Sequence, residues 1–288
     1  MTLDQLRCFA ALIETRSFRA AAERVHRSQP AVSQRLKALE AQFGQPLLER
    51  KTCRPTPLGK LIHKRAQKMI LDAESLQREA TDFDHSAHQE LRVGTSDTTA
   101  LYTLPARIRK FAQQMPQTRL VLVNRGSQAI AEQVLQGELD LGIITLPQNH
   151  PHLIEEPLFR QAFVLVLPHS HPLAQEESIT LPQLKNEPFL LLEEQTRTGA
   201  LLRKYFEKRN FTPQILLDSG SFEVIKRYIT EGVGVSFLPE AVLTPKDKKL
   251  HHAHIPGLPK FTIGAIWRQG AYQSKPERAF LELLRTDT

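Results

Sequence analysis

The 288-residue sequence predicts a chain in three parts: an all-α head, one long helix, and a two-lobed α/β body. Three observations carry this. The first 59 residues read as three short amphipathic helices followed by a basic loop. An apolar residue then recurs every three or four positions from Ile62 to Ala87 without a break. From Leu91 onward, strand-like apolar runs alternate with helical ones.

Composition bounds the function. At 41% hydrophobic residues the chain has material for two compact domains. The start, MTLDQLRCFAALIETR, interrupts its apolar residues with charges and does not read as a signal peptide. No run approaches the roughly 20 apolar residues of a membrane span. A cytoplasmic protein without a membrane partner is therefore expected. Cys8 and Cys53 form neither a disulfide framework nor a metal spacing, and Cys53 has no second cysteine in the body to pair with. The net charge of +7 is unevenly distributed. Residues 1–68 hold 14 Lys and Arg against 5 Asp and Glu, whereas the other 220 hold 24 against 26. A positive field confined to the first quarter fits a phosphate-binding head.

The head is readable residue by residue. Thr2 with Gln5 forms a capping box, and Leu3, Leu6, Phe9, Ala10 and Ile13 make an inward stripe behind it. Ser17 caps a second helix whose Ala20, Ala21 and Ala22 permit close approach. Ser28 caps a third, with Pro30 tolerated in its first turn. There Val32, Leu36, Leu39 and Phe43 form the buried face, which leaves Pro30, Ser33, Gln34 and Lys37 opposite. Gln34 can pair with adenine, Lys37 with guanine or phosphate, Ser33 with either, and Pro30 can touch a thymine methyl. Any amphipathic helix has a polar back. The basic loop Arg50, Lys51, Arg54 tilts the balance, because a winged helix-turn-helix needs such a hairpin to reach the neighbouring backbone.

The stretch LRCFAALIETRSFRAAAERVHRSQPAVSQRLKALEAQFGQPLLER, with the wing ending in PTPLG, resembles the LysR-type transcriptional regulators, and the likeness runs over essentially the whole chain. Leu48 stands where the family often has Phe, and Pro57 where Glu is common. The resemblance implies a winged helix-turn-helix over 1–59, a linker and dimerisation helix over 60–88, and a two-lobed, periplasmic-binding-protein-like (type 2) effector domain over 91–288. Lobe 1 would take about 91–161 and 268–288, and lobe 2 about 162–267. The DNA-facing set is Ser28, Gln29, Pro30, Ser33, Gln34 and Lys37, with Arg50, Arg54 and Thr56 from the wing. Double-stranded DNA, a small-molecule effector and RNA polymerase are the implied partners. The family usually forms homotetramers as pairs of homodimers.

In the long helix, Ile62, Ala66, Met69, Ala73, Leu76, Ala80, Phe83 and Ala87 form a heptad seam of nearly four repeats. Two such helices pairing would set two heads on one duplex, so a near-palindromic site is expected. A single helix lying on the body is the competing reading.

The body is read as a largely parallel sheet, from LRVGTS, LVLVNRG, LDLGIIT, FVLVLP, PFLLLEE, QILLDSG, GVSFLP and FTIGAIW. A strand–turn–helix–Gly–strand order around Ser127 recurs 94 residues later around Ser221. Two similar lobes suggest a hinged clamshell. In α/β lobes ligands sit at helix N-termini beyond the strand ends, and four such places are rich in hydroxyls. They supply the candidate effector set: Ser96, Thr98, Thr99; Ser127, Gln128; Thr196, Thr198; Ser221, Phe222. Thr145 joins them from the end of LDLGIIT, where some relatives that respond to aromatic acids carry Arg. Each hydroxyl is individually as consistent with a simple helix cap. Positive helix ends with hydroxyl donors suit a small anion, most often a carboxylate or an amino acid, and Asp97 favours a zwitterionic or polar effector over a dianion.

No metal site or cofactor is expected, since His169, His171, His251, His252 and His254 lack supporting ligands at sensible spacing. No nucleophile elbow or paired-acid motif suggests an enzyme. The expected function is a DNA-binding regulator in which effector binding shifts the placement of the paired heads. A solute-binding protein of the same clamshell fold is the strongest competitor, followed by an enzyme built on such lobes. Effector, operator, and activation versus repression are not encoded in any readable motif.

Overall fold

The computed structural model describes all residues except 50, 51, 84–88, 287 and 288. The chain divides into two compact units, Met1–Ala87 with Gly270–Ser274 and His88–Gln269 with Lys275–Thr288.

The first unit is built on α1 (Leu3–Thr15), α2 (Phe18–Arg24), α3 (Gln29–Phe43) and α4 (Pro57–Phe83). Their boundaries follow from local chemistry. The Thr2 hydroxyl accepts from the Gln5 amide at 3.3 Å while the Thr2 amide donates to Gln5 Oε1 at 2.8 Å. Ser17 and Ser28 accept from the Ala20 and Ala31 amides. Helix α3 stops at Gly44, whose φ of +66° suits a residue without a Cβ. Leu6, Phe9, Leu12, Ala21, Val32, Leu36, Leu39 and Leu47 share one core. Leu3, expected in the buried stripe, is 40% exposed in the first turn of α1. The N-terminal half of α4 belongs to this core through Ile62, Ala66 and Ile70, so the linker helix starts as part of the head. Ala87, the last seam position, lies outside the described residues.

The second unit holds a seven-stranded sheet in the order β2 (Arg119–Asn124), β1 (Glu90–Thr95), β3 (Leu141–Leu146), β9 (Lys260–Arg268), β4 (Leu153–Pro168), β7 (Ser236–Pro239), with β8 (Leu250–Ala253) also on β4. A two-stranded sheet pairs β5 (Pro188–Leu192) with β6 (Gln214–Ser219). Helices α5 (Pro105–Gln114), α6 (Ser127–Gln136), α7 (Arg197–Glu207), α8 (Phe222–Thr230) and α9 (Lys275–Arg285) complete the unit. The 16-residue β4 runs through both lobes. It pairs with β9 up to Ala162, then with β7 from Phe163 and with β8 from Leu165.

Two readings of the sequence are corrected here. The sheet is mixed rather than largely parallel. Pairings β1–β2, β1–β3 and β5–β6 are parallel, while β3–β9, β4–β9, β4–β7 and β4–β8 are antiparallel. The chain leaves the first lobe along β4 and returns along β9, so these two long strands necessarily run in opposite directions. The strand 261–267, expected in lobe 2, lies between β3 and the first half of β4 and is therefore part of lobe 1.

Each lobe has its own packing. In the first, Phe111 of α5 meets Phe280 of α9 edge-on at 5.3 Å, and α6 lays Ile130 and Val134 on Ile144 and Ile266. In the second, Phe189, Phe206, Phe211 and Phe237 form an aromatic cluster with ring separations of 5.5–5.9 Å.

Candidate functional site

The head presents α3 as an exposed polar face. Ser28, Gln29, Pro30, Gln34 and Lys37 are exposed and Ser33 is half-buried. The two cations of α3 have different fates. Arg35 is committed to Asp4 at the start of α1, which also receives Arg27 at 3.6 Å. The Arg35 hydrogen bond holds the Asp4 carboxyl below its ordinary range. Lys37 has no ion pair among the described residues and remains available.

Behind α3 the chain forms a short hairpin. Leu48 bridges Pro55, and Glu49 N donates to Arg54 O at 2.8 Å. Its root is pinned by Glu40, whose Oε1 accepts from the Leu47 and Leu48 amides at 2.7 and 3.3 Å. Sequence reading missed this role of Glu40, although the residue sits in the quoted stretch. Arg54 is exposed on the hairpin, and Arg50 lies outside the described residues. Thr56, expected among the DNA-facing residues, has work inside the head. Its hydroxyl donates toward Pro46 O at 3.0 Å and accepts from Gly59 N at 3.0 Å, capping α4.

In the second unit, all ten candidate effector residues line one cavity of about 920 Å³. Ser96, Thr98 and Thr99 come from the loop after β1 and the π-helical turn Thr99–Thr103. Ser127 and Gln128 open α6, Thr145 ends β3, Thr196 and Thr198 open α7, and Ser221 and Phe222 open α8. Three α-helix N-termini therefore face one space.

Their caps differ. Thr196 is a full cap: its hydroxyl accepts from Gly199 N at 3.0 Å and donates to Glu193 O at 2.7 Å. Gly199 is required there, because a Cβ would run into the Glu193 carbonyl. At α6 the N-cap is Gly126, and at α8 Ser221 makes no side-chain cap bond. The first-turn amides of α6 and α8 are thus left for another acceptor. Ser127 accepts from Thr145 N at 3.4 Å, which leaves its hydroxyl hydrogen to donate.

Several lining residues were not singled out from sequence. Arg125 and Arg197 flank the starts of α6 and α7, and neither has an ion pair among the described residues. Gln148 follows β3, and its side chain accepts from Arg197 Nη2 at 2.9 Å. Glu132 also lines the cavity and accepts from Gln128 at 3.3 Å, and Asp97, already weighed in the sequence for its charge, lines it too. The arginines were visible in sequence as cations adjoining the chosen hydroxyls.

A second contact joins the lobes beside the cavity. Tyr102, in the π-helical turn, donates to Glu223 at 2.5 Å and accepts from Lys226 Nζ at 2.5 Å, both on α8. Asp247 lies 3.6 Å from the same ammonium. Burial pulls the Lys226 pKa down, but Tyr102, Glu223 and Asp247 outweigh it and hold it above the ordinary value. Among the described residues, no group of acidic, His or Cys side chains is arranged to hold a metal, and no helix is long and apolar enough to cross a membrane.

Comparison with known proteins finds a family match for each end of the chain. Residues 3–60 match the bacterial regulatory helix-turn-helix protein model of the lysR family, and residues 84–288 match the LysR substrate binding domain. The HTH-type transcriptional regulator SsuR of Burkholderia cenocepacia is 30% identical over 251 residues, spanning 85% of this chain and 82% of the relative. The HTH-type transcriptional regulator CysL of Bacillus subtilis is 29% identical, spanning 88% and 85%. Among solved structures, a single-residue variant of full-length OxyR from Pseudomonas aeruginosa superposes with a TM-score of 0.73 at 27% identity, covering 99% of this chain and 95% of that one. HinK, a LysR family transcriptional regulator from Pseudomonas aeruginosa, gives 0.62 at 26% identity, covering 99% and 98%. With both domains matched and an exposed polar helix in the first, the chain belongs to the LysR family of DNA-binding transcriptional regulators and carries that family's effector-binding domain.

Proposed function

We propose that this regulator binds a near-palindromic duplex as a homodimer, or as a tetramer of paired dimers, and that a small zwitterionic effector in the cleft modulates its grip. The observation that carries the effector reading is the cavity itself, with three α-helix N-termini and two arginines without carboxylate partners around it. Positive helix ends and guanidinium groups favour a carboxylate or similar anion. Asp97, which makes no ion pair among the described residues, suits an amino group on the same molecule.

For the head, Gln34 and Ser33 are the base readers, Pro30 the apolar contact, and Lys37 and Arg54 the phosphate contacts. Met69 and Leu76, 43% and 67% exposed on α4, support pairing of two such helices. Effector binding then acts by linkage. Whatever lobe arrangement the ligand prefers, DNA affinity and ligand affinity must shift reciprocally. Through DNA placement the effector would set access of RNA polymerase.

The test is a binding titration against two duplexes, one with inverted half-sites about 10 bp apart and one with a single half-site. The two-site duplex should bind more tightly, carry two chains, and lose affinity steeply with salt. Equal affinity for both duplexes at one chain each would overturn the dimer reading.

A further inference from the structure

Between the lobes of the second unit runs one hydrogen bond with unusual partners. Arg197, the first residue of α7, donates from Nη2 to Oε1 of Gln148 at 2.9 Å, across 49 residues of sequence. The acceptor is fixed. The Gln148 amide donates to both oxygens of Glu155 at 3.0 and 3.1 Å, and its side-chain amide donates to Thr145 O at 2.9 Å. The donor is held by this neutral amide, with no ion pair among the described residues. Both side chains line the cavity, and Arg125 lines it from the first lobe.

We propose that Arg197 is the residue that selects the effector's anionic end, and that it does so by exchanging Gln148 for that anion. This rests on the effector reading given above. A guanidinium binds a carboxylate through two parallel charge-assisted bonds, which is stronger than a single bond to a neutral amide. The exchange therefore runs toward the anion. It also removes a bond that joins the two lobes, so recognition and release of the latch are one event. Ligands without a negative end leave the latch closed and are rejected by it. Gln148 thus acts as a built-in competitor that lowers apparent affinity by the fraction of time the latch is shut.

The experiment is titration calorimetry on the full chain with three probes: L-alanine, succinate and inorganic sulfate. Arg197→Ala should weaken whichever probe binds by about tenfold or more, and Arg197→Lys should restore only part of this, lacking the bidentate fork. Gln148→Ala should tighten binding about three- to tenfold by removing the competitor. Gln148→Glu should weaken it about tenfold, because a carboxylate in cis then occupies Arg197. Unchanged affinity in Arg197→Ala, or weaker binding in Gln148→Ala, overturns the exchange while leaving the cleft reading intact. If the wild-type protein binds none of the three probes, the effector reading itself fails, and this inference with it.

Discussion

Gly59, in the first turn of α4, has no room for a side chain, since a Cβ would meet the Leu47 carbonyl oxygen. Helix propensity alone makes Ala better than Gly by about 0.5–1 kcal/mol. The obstacle is backbone that already accepts from Thr56, so steric cost wins. Gly59→Ala should destabilise the head by about 1–3 kcal/mol, measured as a lowered urea midpoint. On α3, Gln34 is exposed and faces away from the core, so Gln34→Ala should relax base preference in a binding-selection assay with its fold intact. An unchanged consensus would remove Gln34 from the reading face. Arg54→Ala should weaken binding to every sequence alike and reduce the slope of log affinity against log salt by about one. The caps at Thr2, Ser17 and Ser28 and the exposed side of α3 were readable in sequence because caps and helix faces are local properties. The capping role of Thr56 was not, because nothing local reveals that Pro46 and Leu47 fold back over it. Gln148 was missed because its loop has no periodicity and its partner lies in the other lobe.

The elements show the same divide. Helix α4 follows from apolar spacing of 4 and 3 alone, and its first half finds a partner in α1, where His63 meets Phe9 edge-on at 6.3 Å. Further along, Met69 and Leu76 stay exposed, so the seam has no partner among the described residues there. Burying one Leu is worth about 1.5–3 kcal/mol, and pairing along the seam would bury Met69 and Leu76 of each chain. Leu76→Glu places like charges face to face in a paired helix and should convert the dimer to monomer at micromolar concentration, as read by sedimentation. A sedimentation profile identical to wild type would show that the α4 seam is not a pairing surface. Strand partners were less accessible to sequence reading. An apolar run such as FTIGAIW buries equally well in either lobe, and only the return of the chain along β9 decides between them. The repeat of strand and helix around Ser127 and Ser221 survived better, because both copies start helices that open on the same cavity.

For the whole molecule, charge and burial are divided unequally between the units, and acid should expose the difference. His63 sits inside the head with a buried Nε2 that has no hydrogen-bond partner among the described residues, and burial holds its pKa below 6.5. In the unfolded chain the same imidazole titrates near its ordinary value. As pH falls through about 6.5, the unfolded state therefore binds the proton first, and head stability declines until the lower folded value is reached. Asp4 adds a second loss at lower pH. The Arg35 hydrogen bond depresses its carboxyl, so its contribution is full above the ordinary 3.8 and fades below it. His251 in the second unit is also lowered, first by burial and then by His252 and His169, but it is only partly buried and its effect is smaller. Each proton can change stability by at most about 1.4 kcal/mol per pH unit. Wild-type protein should lose stability in the head transition as pH falls from about 7 to 5, measured by urea unfolding. His63→Leu replaces an unsatisfied polar ring with an apolar side chain, so it should keep or raise stability at about pH 7 and flatten the slope. Parallel curves for wild type and His63→Leu would mean that the imidazole takes up its proton in the folded head as readily as in the unfolded chain.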